Sequence, residues 1–226
     1  MAAVMGLLLA VTGCTNNKND QGTPSKAEKI HQAVLTVDTH TDTPLNLRDP
    51  EFDLGIRHNP DSSYSRIDLP RMKEGDMDAS FFAVYVGQRE RTPEGHQSVH
   101  ERAMKLFEGI YQAVDKYSGQ AEVATTPDDA YRLEKENKKA IYIGVENGYA
   151  LGGELAHVKK FYDQGARYIT LCHTSNNDLC DSSTDDEGPE HNGLSEFGKQ
   201  VVKKMNELGM IIDVSHISDQ AFYDVI

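Results

Sequence analysis

Short runs that are almost continuously apolar alternate along the chain with longer amphipathic stretches, and this alternation is what most constrains the fold. Such runs, rich in Val, Ile, Tyr and Phe, are typical of strands buried on both faces of a sheet. Repeated β–α units of this kind imply a parallel sheet with right-handed crossovers. Five strands are predicted, at residues 33–37, 79–86, 140–145, 168–172 and 210–214.

The stretches between the predicted strands have the period and the ends of helices. Thr126, followed by Pro127 and two acids, is a predicted N-cap, as is Ser195, and Gly209 is predicted to end the helix that Ser195 begins. A helix is also predicted near residues 154–164. The longest helix is predicted over residues 97–118, with an apolar face formed by Val99, Ala103, Leu106, Ile110, Val114 and Tyr117.

Length and charge exclude some classes of function. The chain has 226 residues, of which 38% are hydrophobic, and this suits one globular domain or a large part of one. Acidic residues outnumber basic residues 36 to 23, and the net charge of -13 argues against nucleic acid as a partner. No G-x-G-x-x-G follows the first predicted strand, which disfavours a dinucleotide site, although a doubly wound open sheet stays an alternative.

The N-terminus is predicted to be a targeting segment. Residues 2–11 are almost wholly apolar but shorter than the ~20 residues of a membrane-spanning helix. They lead into Val-Thr-Gly-Cys14, which resembles a bacterial lipobox. We therefore expect a signal peptide at 1–14, lipid attachment at Cys14, a polar tether at 15–29 and the folded domain at 30–226, anchored outside the cytoplasm in a bacterial cell envelope. A buried apolar helix is the alternative.

Polar residues at the ends of the predicted strands carry the candidate chemistry. His40 and Asp42 follow the first strand two positions apart, so in an extended backbone they share a face and can bind one Zn²⁺. Glu146 follows the third strand, and its two carboxylate oxygens could bridge two metals. His173 and His216 follow the fourth and fifth strands. Parallel strands end on one face of a β/α fold, where active sites lie, so the joint pattern favours a metal hydrolase.

Taken singly, each of these residues also has a plainer interpretation as a loop or structural residue. The acidic, Ser-rich stretch at 181–190 is either a rim or lid over the site or a plain surface loop. Cys172 and Cys180 could form a disulfide, but free thiols are the predicted state. The remaining histidines are interpreted as solvated: His31, His58, His96, His100, His157 and His191.

Six motifs in this order resemble the membrane (renal-type) dipeptidase family of zinc metallopeptidases. They are an Asp-x-His-x-Asp at 38–42, an Ile-Asp-Leu-Pro-Arg at 67–71 followed by Gly75, a Gly-Val-Glu-x-Gly at 144–148, an Arg-Tyr-Ile-Thr-Leu-x-His at 167–173, a Gly-Leu-Ser-x-Phe-Gly at 193–198 and an Ile-Asp-Val-Ser-His at 212–216. The resemblance covers the chain from about residue 33 to its end.

This resemblance implies an α/β fold of the (β/α)₈ TIM-barrel type, with about five of the eight units in this chain, and two Zn²⁺ ions per full-length subunit. It also implies that His40 and Asp42 bind one zinc, that Glu146 bridges both and that His216 binds the other. His173 would be the catalytic, substrate-binding residue that holds the scissile carbonyl. The implied reaction is dipeptide hydrolysis by a metal-bridged hydroxide, and the family likeness points to a homodimer.

Two departures from the family pattern lead to further expectations. A further zinc-binding His about 20 residues beyond the position of His216 has no counterpart here, so we expect the full-length product, and not this chain alone, to hydrolyse dipeptides. In addition, a frequent Glu-Gly-Gly-His is replaced by Glu146, Asn147, Gly148 and Tyr149. Three alternatives remain: another barrel amidohydrolase, although those usually begin with His-x-His, a non-catalytic lipoprotein binding module, or a fragment without function.

Overall fold

The described part of the chain folds into one parallel sheet covered by helices. The computed structural model describes residues 23–61 and 65–226. The strands in these residues are β1 (Val37–Thr41), β2 (Ala79–Tyr85), β3 (Ala121–Val123), β4 (Lys139–Glu146), β5 (Ala166–Thr170) and β6 (Ile211–Asp213). The helices are α1 (Lys26–His31), α2 (Leu69–Glu74), α3 (Pro93–Lys116), α4 (Pro127–Lys135), α5 (Ala156–Asp163), α6 (Glu196–Leu208) and α7 (Asp219–Val225), with 3₁₀ turns at Thr43–Arg48 and Gly148–Leu151.

The order of the strands is that of part of a barrel. Along the path β1-β2-β4-β5-β6 every pair is parallel, and the order follows the sequence without reversal. A doubly wound sheet reverses its order at a switch point, so that alternative is excluded. The short β3 pairs with the beginning of β4 and β5 pairs with its later part. The sheet is therefore a parallel half-barrel, which confirms the predicted fold class.

Two strand predictions were wrong in position or number. The first strand was predicted at 33–37 but begins at Val37 and ends at Thr41. It lies at the edge of the described sheet and carries polar residues, so the apolar run before it misled the prediction: Val34 is 51% exposed. The three-residue β3 was missed because it is too short to show a period.

The helix predictions are largely confirmed, with different starting points. Thr126 and Ser195 accept hydrogen bonds from Asp129 N and Gly198 N, and Gly209 ends α6 with φ of +68°. Helix α3 starts at Pro93 and not at residue 97, because Thr92 caps it with the same Thr-Pro chemistry. The predicted apolar face of α3 packs in the core between helices and sheet, and its buried members are Val99, Ala103, Leu106, Ile110 and Val114.

The predictions for the N-terminus fall mostly outside the described residues. The signal peptide, Cys14 and the tether up to residue 22 lie there, and they stay predictions. Helix α1 begins at Lys26, within the predicted tether. In the described residues, no helix has both the length and the apolar character needed to span a membrane. Cys172 and Cys180 are buried free thiols, as predicted.

Two histidines interpreted as solvated are in fact packed against each other. The rings of His100 on α3 and His157 on α5 stack with centroids 3.6 Å apart. Lys160 Nζ donates to His100 Nε2 at 2.8 Å, and His157 Nδ1 lies 2.7 Å from the carbonyl of Leu151. The helix-to-helix contact that creates this pair cannot be read from either helix alone.

We expect the stability of the protein to fall in mild acid because of His100. Burial lowers its pKa to about 4, helped by the nearby charges of His157 and Lys160 and opposed in part by the hydrogen bond to the Ala150 carbonyl and by Glu154. The unfolded chain binds this proton at about pH 6.5, so the stability is lost as pH falls from about 6.5 to 4. His100 is only half-buried, so we expect about 1 kcal/mol, or roughly 2–4 °C in Tm.

Thermal unfolding at several pH values checks this expectation. His100→Gln removes the titrating group and should flatten the decline of Tm between pH 6.5 and 4. His31→Gln, at an exposed position on α1, is the matched control and should keep the decline. An equal decline in His100→Gln and the unmodified protein would contradict the assignment.

Candidate metal centre

The carboxyl ends of β1, β4 and β5 and the loop after β6 bring four of the predicted residues together around Glu146. The register places Glu146 between Tyr85 on β2 and Thr170 on β5. Its side chain is buried, with a residue exposure of 6%. Burial of a charged carboxylate reduces the stability of the fold unless the group is paired, so its neighbours must supply positive charge or hydrogen bonds.

One group of ligand atoms combines β1 with Glu146. His40 Nε2 lies 3.6 Å from Asp42 Oδ1 and 3.4 Å from Glu146 Oε2. Ligand atoms of all three residues lie within 4.8 Å of one another. His40 lies inside β1 and Asp42 directly after it. Asp38 is in neither ligand group, and its carboxylate instead accepts from the backbone N of His40 at 3.2 Å.

A second group of ligand atoms uses the other oxygen of Glu146. His173 Nε2 lies 3.5 Å and His216 Nε2 3.6 Å from Glu146 Oε1. The centroids of the two imidazole rings are 4.3 Å apart. His173 is therefore as close to the shared carboxylate as His216, although sequence reasoning gave it only a role toward the substrate.

The carboxylates strongly perturb the titration of the histidine between them. In the absence of metal, Asp42 and then Glu146 raise the pKa of His40 to about 10. The same contact lowers the pKa of Asp42. Burial lowers the pKa of His173, and burial together with Glu146 and Asp42 raises the pKa of Tyr85. Perturbed pKa values of several groups in one cleft are typical of functional sites.

Two turns at the candidate metal centre have a backbone that residues other than glycine rarely adopt. His216 has φ of +70° and Asn147, directly after Glu146, has φ of +78°. The carbonyl of His216 accepts from Ser183 N at 2.8 Å. The side chain of Asn147 donates to Val86 O at 3.1 Å and accepts from Asn177 at 3.0 Å. The departure from the family pattern at residue 147 thus ties the end of β4 to its neighbours.

The acidic stretch at 181–190 frames the site. Asp181 is buried and accepts from the backbone N atoms of Glu190, His191 and Gly193. Ser182 pairs with Ile217, directly after His216. The stretch is therefore a largely exposed loop whose buried first residues, Asp181 and Ser182, are hydrogen-bonded beside the turn that carries His216.

One residue near the ligands was missed by sequence reasoning. Tyr168 lines a cavity of about 330 Å³ together with His40, Glu146 and His216. The direction of its side chain could have been predicted, because side chains alternate along a strand and Tyr168 therefore points to the same face as Thr170. The contact of Tyr168 with His40 on β1 could not be predicted from the sequence.

With this geometry established, similarity to known proteins settles the family. A sequence profile described as membrane dipeptidase, peptidase family M19, matches residues 25–226. The chain belongs to the membrane dipeptidase family. It is 34% identical over 181 residues to dipeptidase tcpJ of Claviceps purpurea, a match that covers 78% of this chain and 42% of the relative.

Solved structures of a probable dipeptidase and of a metallo peptidase share the fold. The probable dipeptidase PvdM from Pseudomonas aeruginosa is 28% identical with a TM-score of 0.75, covering 88% of this chain and 51% of that one. A metallo peptidase from Rhodobacter sphaeroides, liganded with a phosphinate mimic of the dipeptide L-Ala-D-Ala, is 22% identical with a TM-score of 0.72. That match covers 85% of this chain and 61% of that one, and it supports the fold alone. The chain spans about half the length of the curated relatives it matches.

Proposed function

We propose that the whole protein is a zinc-dependent metallodipeptidase and that this chain supplies most of its metal centre. The observation that carries the proposal is the position of Glu146, whose two oxygens face two separate groups of ligands at one mouth of the half-barrel. The proposed ligands are His40 and Asp42 on one side, His216 on the other, and Glu146 between them.

The donor set fits zinc. Imidazole nitrogen and carboxylate oxygen are its ordinary ligands in hydrolases. Both histidines on the two sides of Glu146 direct Nε2 toward the shared carboxylate. The buried carboxylate that two zinc ions would share otherwise has only histidines as ion-pair partners in the described residues.

The proposed mechanism gives different roles to the bound zinc and to His173. Bound zinc lowers the pKa of water to about 7 and polarises a carbonyl. His173 would hold the scissile carbonyl of a dipeptide and, as a hydrogen-bond donor, stabilise the negative charge that develops on its oxygen. Its Nε2 lies 3.5 Å from Glu146 Oε1, and its ring centroid lies 5.0 Å from that of Tyr85. Burial favours the neutral form of His173. Attachment to the cell envelope through Cys14 and a homodimer are further parts of the proposal.

The proposal is tested by the metal content and activity of the whole protein. We expect two zinc ions per subunit and hydrolysis of simple dipeptides. His40→Ala should lose both activity and the metal of its group. Retained activity in His40→Ala would contradict the assignment of His40 as a zinc ligand. A protein without bound metal would favour a binding module, whereas turnover of lactones or cyclic amides and not of dipeptides would favour another amidohydrolase.

A further inference from the structure

A tyrosine on the far side of the half-barrel contacts a proposed metal ligand. Tyr168 Oη on β5 lies 2.9 Å from His40 Nδ1 on β1, and the two strands are separated in the sheet by β2 and β4. Tyr168 is 5% exposed. Within residues 23–61 and 65–226 its hydroxyl has no other hydrogen-bond partner.

The sheet is shaped to admit this side chain. Gly144 on β4 is the register partner of Tyr168. A Cβ atom at residue 144 would lie 2.0 to 2.3 Å from atoms of the tyrosine ring, far inside contact distance. Beyond it, the ring stacks on Phe81 of β2 with centroids 5.5 Å apart. The glycine therefore lets the ring lie over β4 and reach past β2, so that its hydroxyl contacts His40.

We propose that Tyr168 is a positioning residue for the metal centre, which accepts a hydrogen bond from His40 Nδ1–H and so directs the Nε2 lone pair toward Glu146 and Asp42. A neutral imidazole carries its proton on one nitrogen only, and the hydrogen bond at the other nitrogen decides which one. Partners of this kind fix the orientation of metal-bound histidines and typically contribute about 10- to 100-fold to metal affinity. The inference rests on the proposed metal centre.

A purely packing role would make a different prediction, and the chain offers a matched control. Tyr142 on β4 is 7% exposed and also stacks on Phe81, with centroids 4.8 Å apart. Its hydroxyl donates to Thr126 O at 2.8 Å, away from the ligand groups. Loss of either hydroxyl removes one hydrogen bond of a buried tyrosine, but only Tyr168 touches a ligand.

Calorimetric zinc titration of the purified protein at fixed pH tests the inference without using activity. Tyr168→Phe should weaken binding at the His40 group by about 10- to 100-fold, whereas Tyr142→Phe should leave it unchanged. In a His40→Ala background, Tyr168→Phe should have no further effect, because a residue that acts through His40 is not additive with it. Equal affinity in Tyr168→Phe and the unmodified protein would overturn the inference.

A second variant keeps the test decisive if Tyr168→Phe folds poorly. Gly144→Ala retains the hydroxyl but forces the ring away, so it should also weaken zinc binding. Unchanged affinity in Gly144→Ala, with a retained fold by circular dichroism, would overturn the inference. Failure of the proposed function is distinguishable, since then the unmodified protein would itself bind no zinc or bind it without hydrolysing dipeptides.

Discussion

Glu146→Gln is expected to remove metal from both ligand groups at once. One carboxylate serves both groups, with Oε2 facing His40 and Oε1 facing His173 and His216. An amide has one neutral oxygen and an NH₂ that metals do not accept as a ligand. Loss of an outer hydrogen bond to a ligand already costs about 10- to 100-fold in affinity, so loss of a shared ligand should cost at least ~100-fold at each group. Metal analysis and dipeptide hydrolysis measure the change.

A second strand-end carboxylate separates this effect from a general loss of charge. Asp213 ends β6 but accepts from Thr170 Oγ1 and Ser215, and it belongs to neither ligand group. Asp213→Asn should therefore keep its two metals. Equal metal loss in both variants, or full metal content in Glu146→Gln, would contradict a bridging role for Glu146.

The sequence allowed the residues of the candidate metal centre to be predicted as neighbours because all strands of a parallel sheet end at the same edge, whereas their roles as ligands came from the resemblance to the membrane dipeptidase family. Strands buried on both faces are visible as apolar runs, and their carboxyl ends meet at one edge. His40, Glu146, His173 and His216 could thus be proposed as neighbours although they are far apart in the chain. Their short distances in the structure agree with that expectation, while their individual roles stay predictions.

What could not be predicted depends on contacts between elements. The contact between Tyr168 and His40 joins residues that are 128 positions apart in the chain and lie on strands separated by two others. The stack of His100 on His157 arises where α3 packs beside α5. The positive φ of His216 has no glycine to signal it, and the carbonyl of this residue accepts a hydrogen bond from Ser183 in the distant 181–190 stretch. Local pattern and propensity contain none of these tertiary constraints.

Zinc is expected to raise the melting temperature of the protein substantially. A ligand that binds only the folded state at a free concentration of 1,000 times its Kd adds about 4.1 kcal/mol. For a chain of this size each kcal/mol corresponds to roughly 2–4 °C, so one occupied group should add roughly 8–16 °C. Scanning calorimetry with and without zinc, and after chelation, measures the shift. At the same zinc concentration Glu146→Gln should lose at least about two-thirds of this shift, because a ~100-fold weaker site adds only ~1.4 kcal/mol.

The size of this shift should also grow with pH, because zinc and a proton compete for His40. Without metal, Asp42 and Glu146 raise the pKa of His40 to about 10, against about 6.5 in the unfolded chain. That stabilisation is complete below about pH 6.5 and is lost as pH rises toward 10. Zinc must displace the proton from Nε2, so binding strengthens as pH rises over the same range. The difference in Tm between zinc-loaded and zinc-free protein should therefore widen between pH 6.5 and 8.5 at constant free zinc. A difference that stays constant with pH would contradict His40 as a ligand.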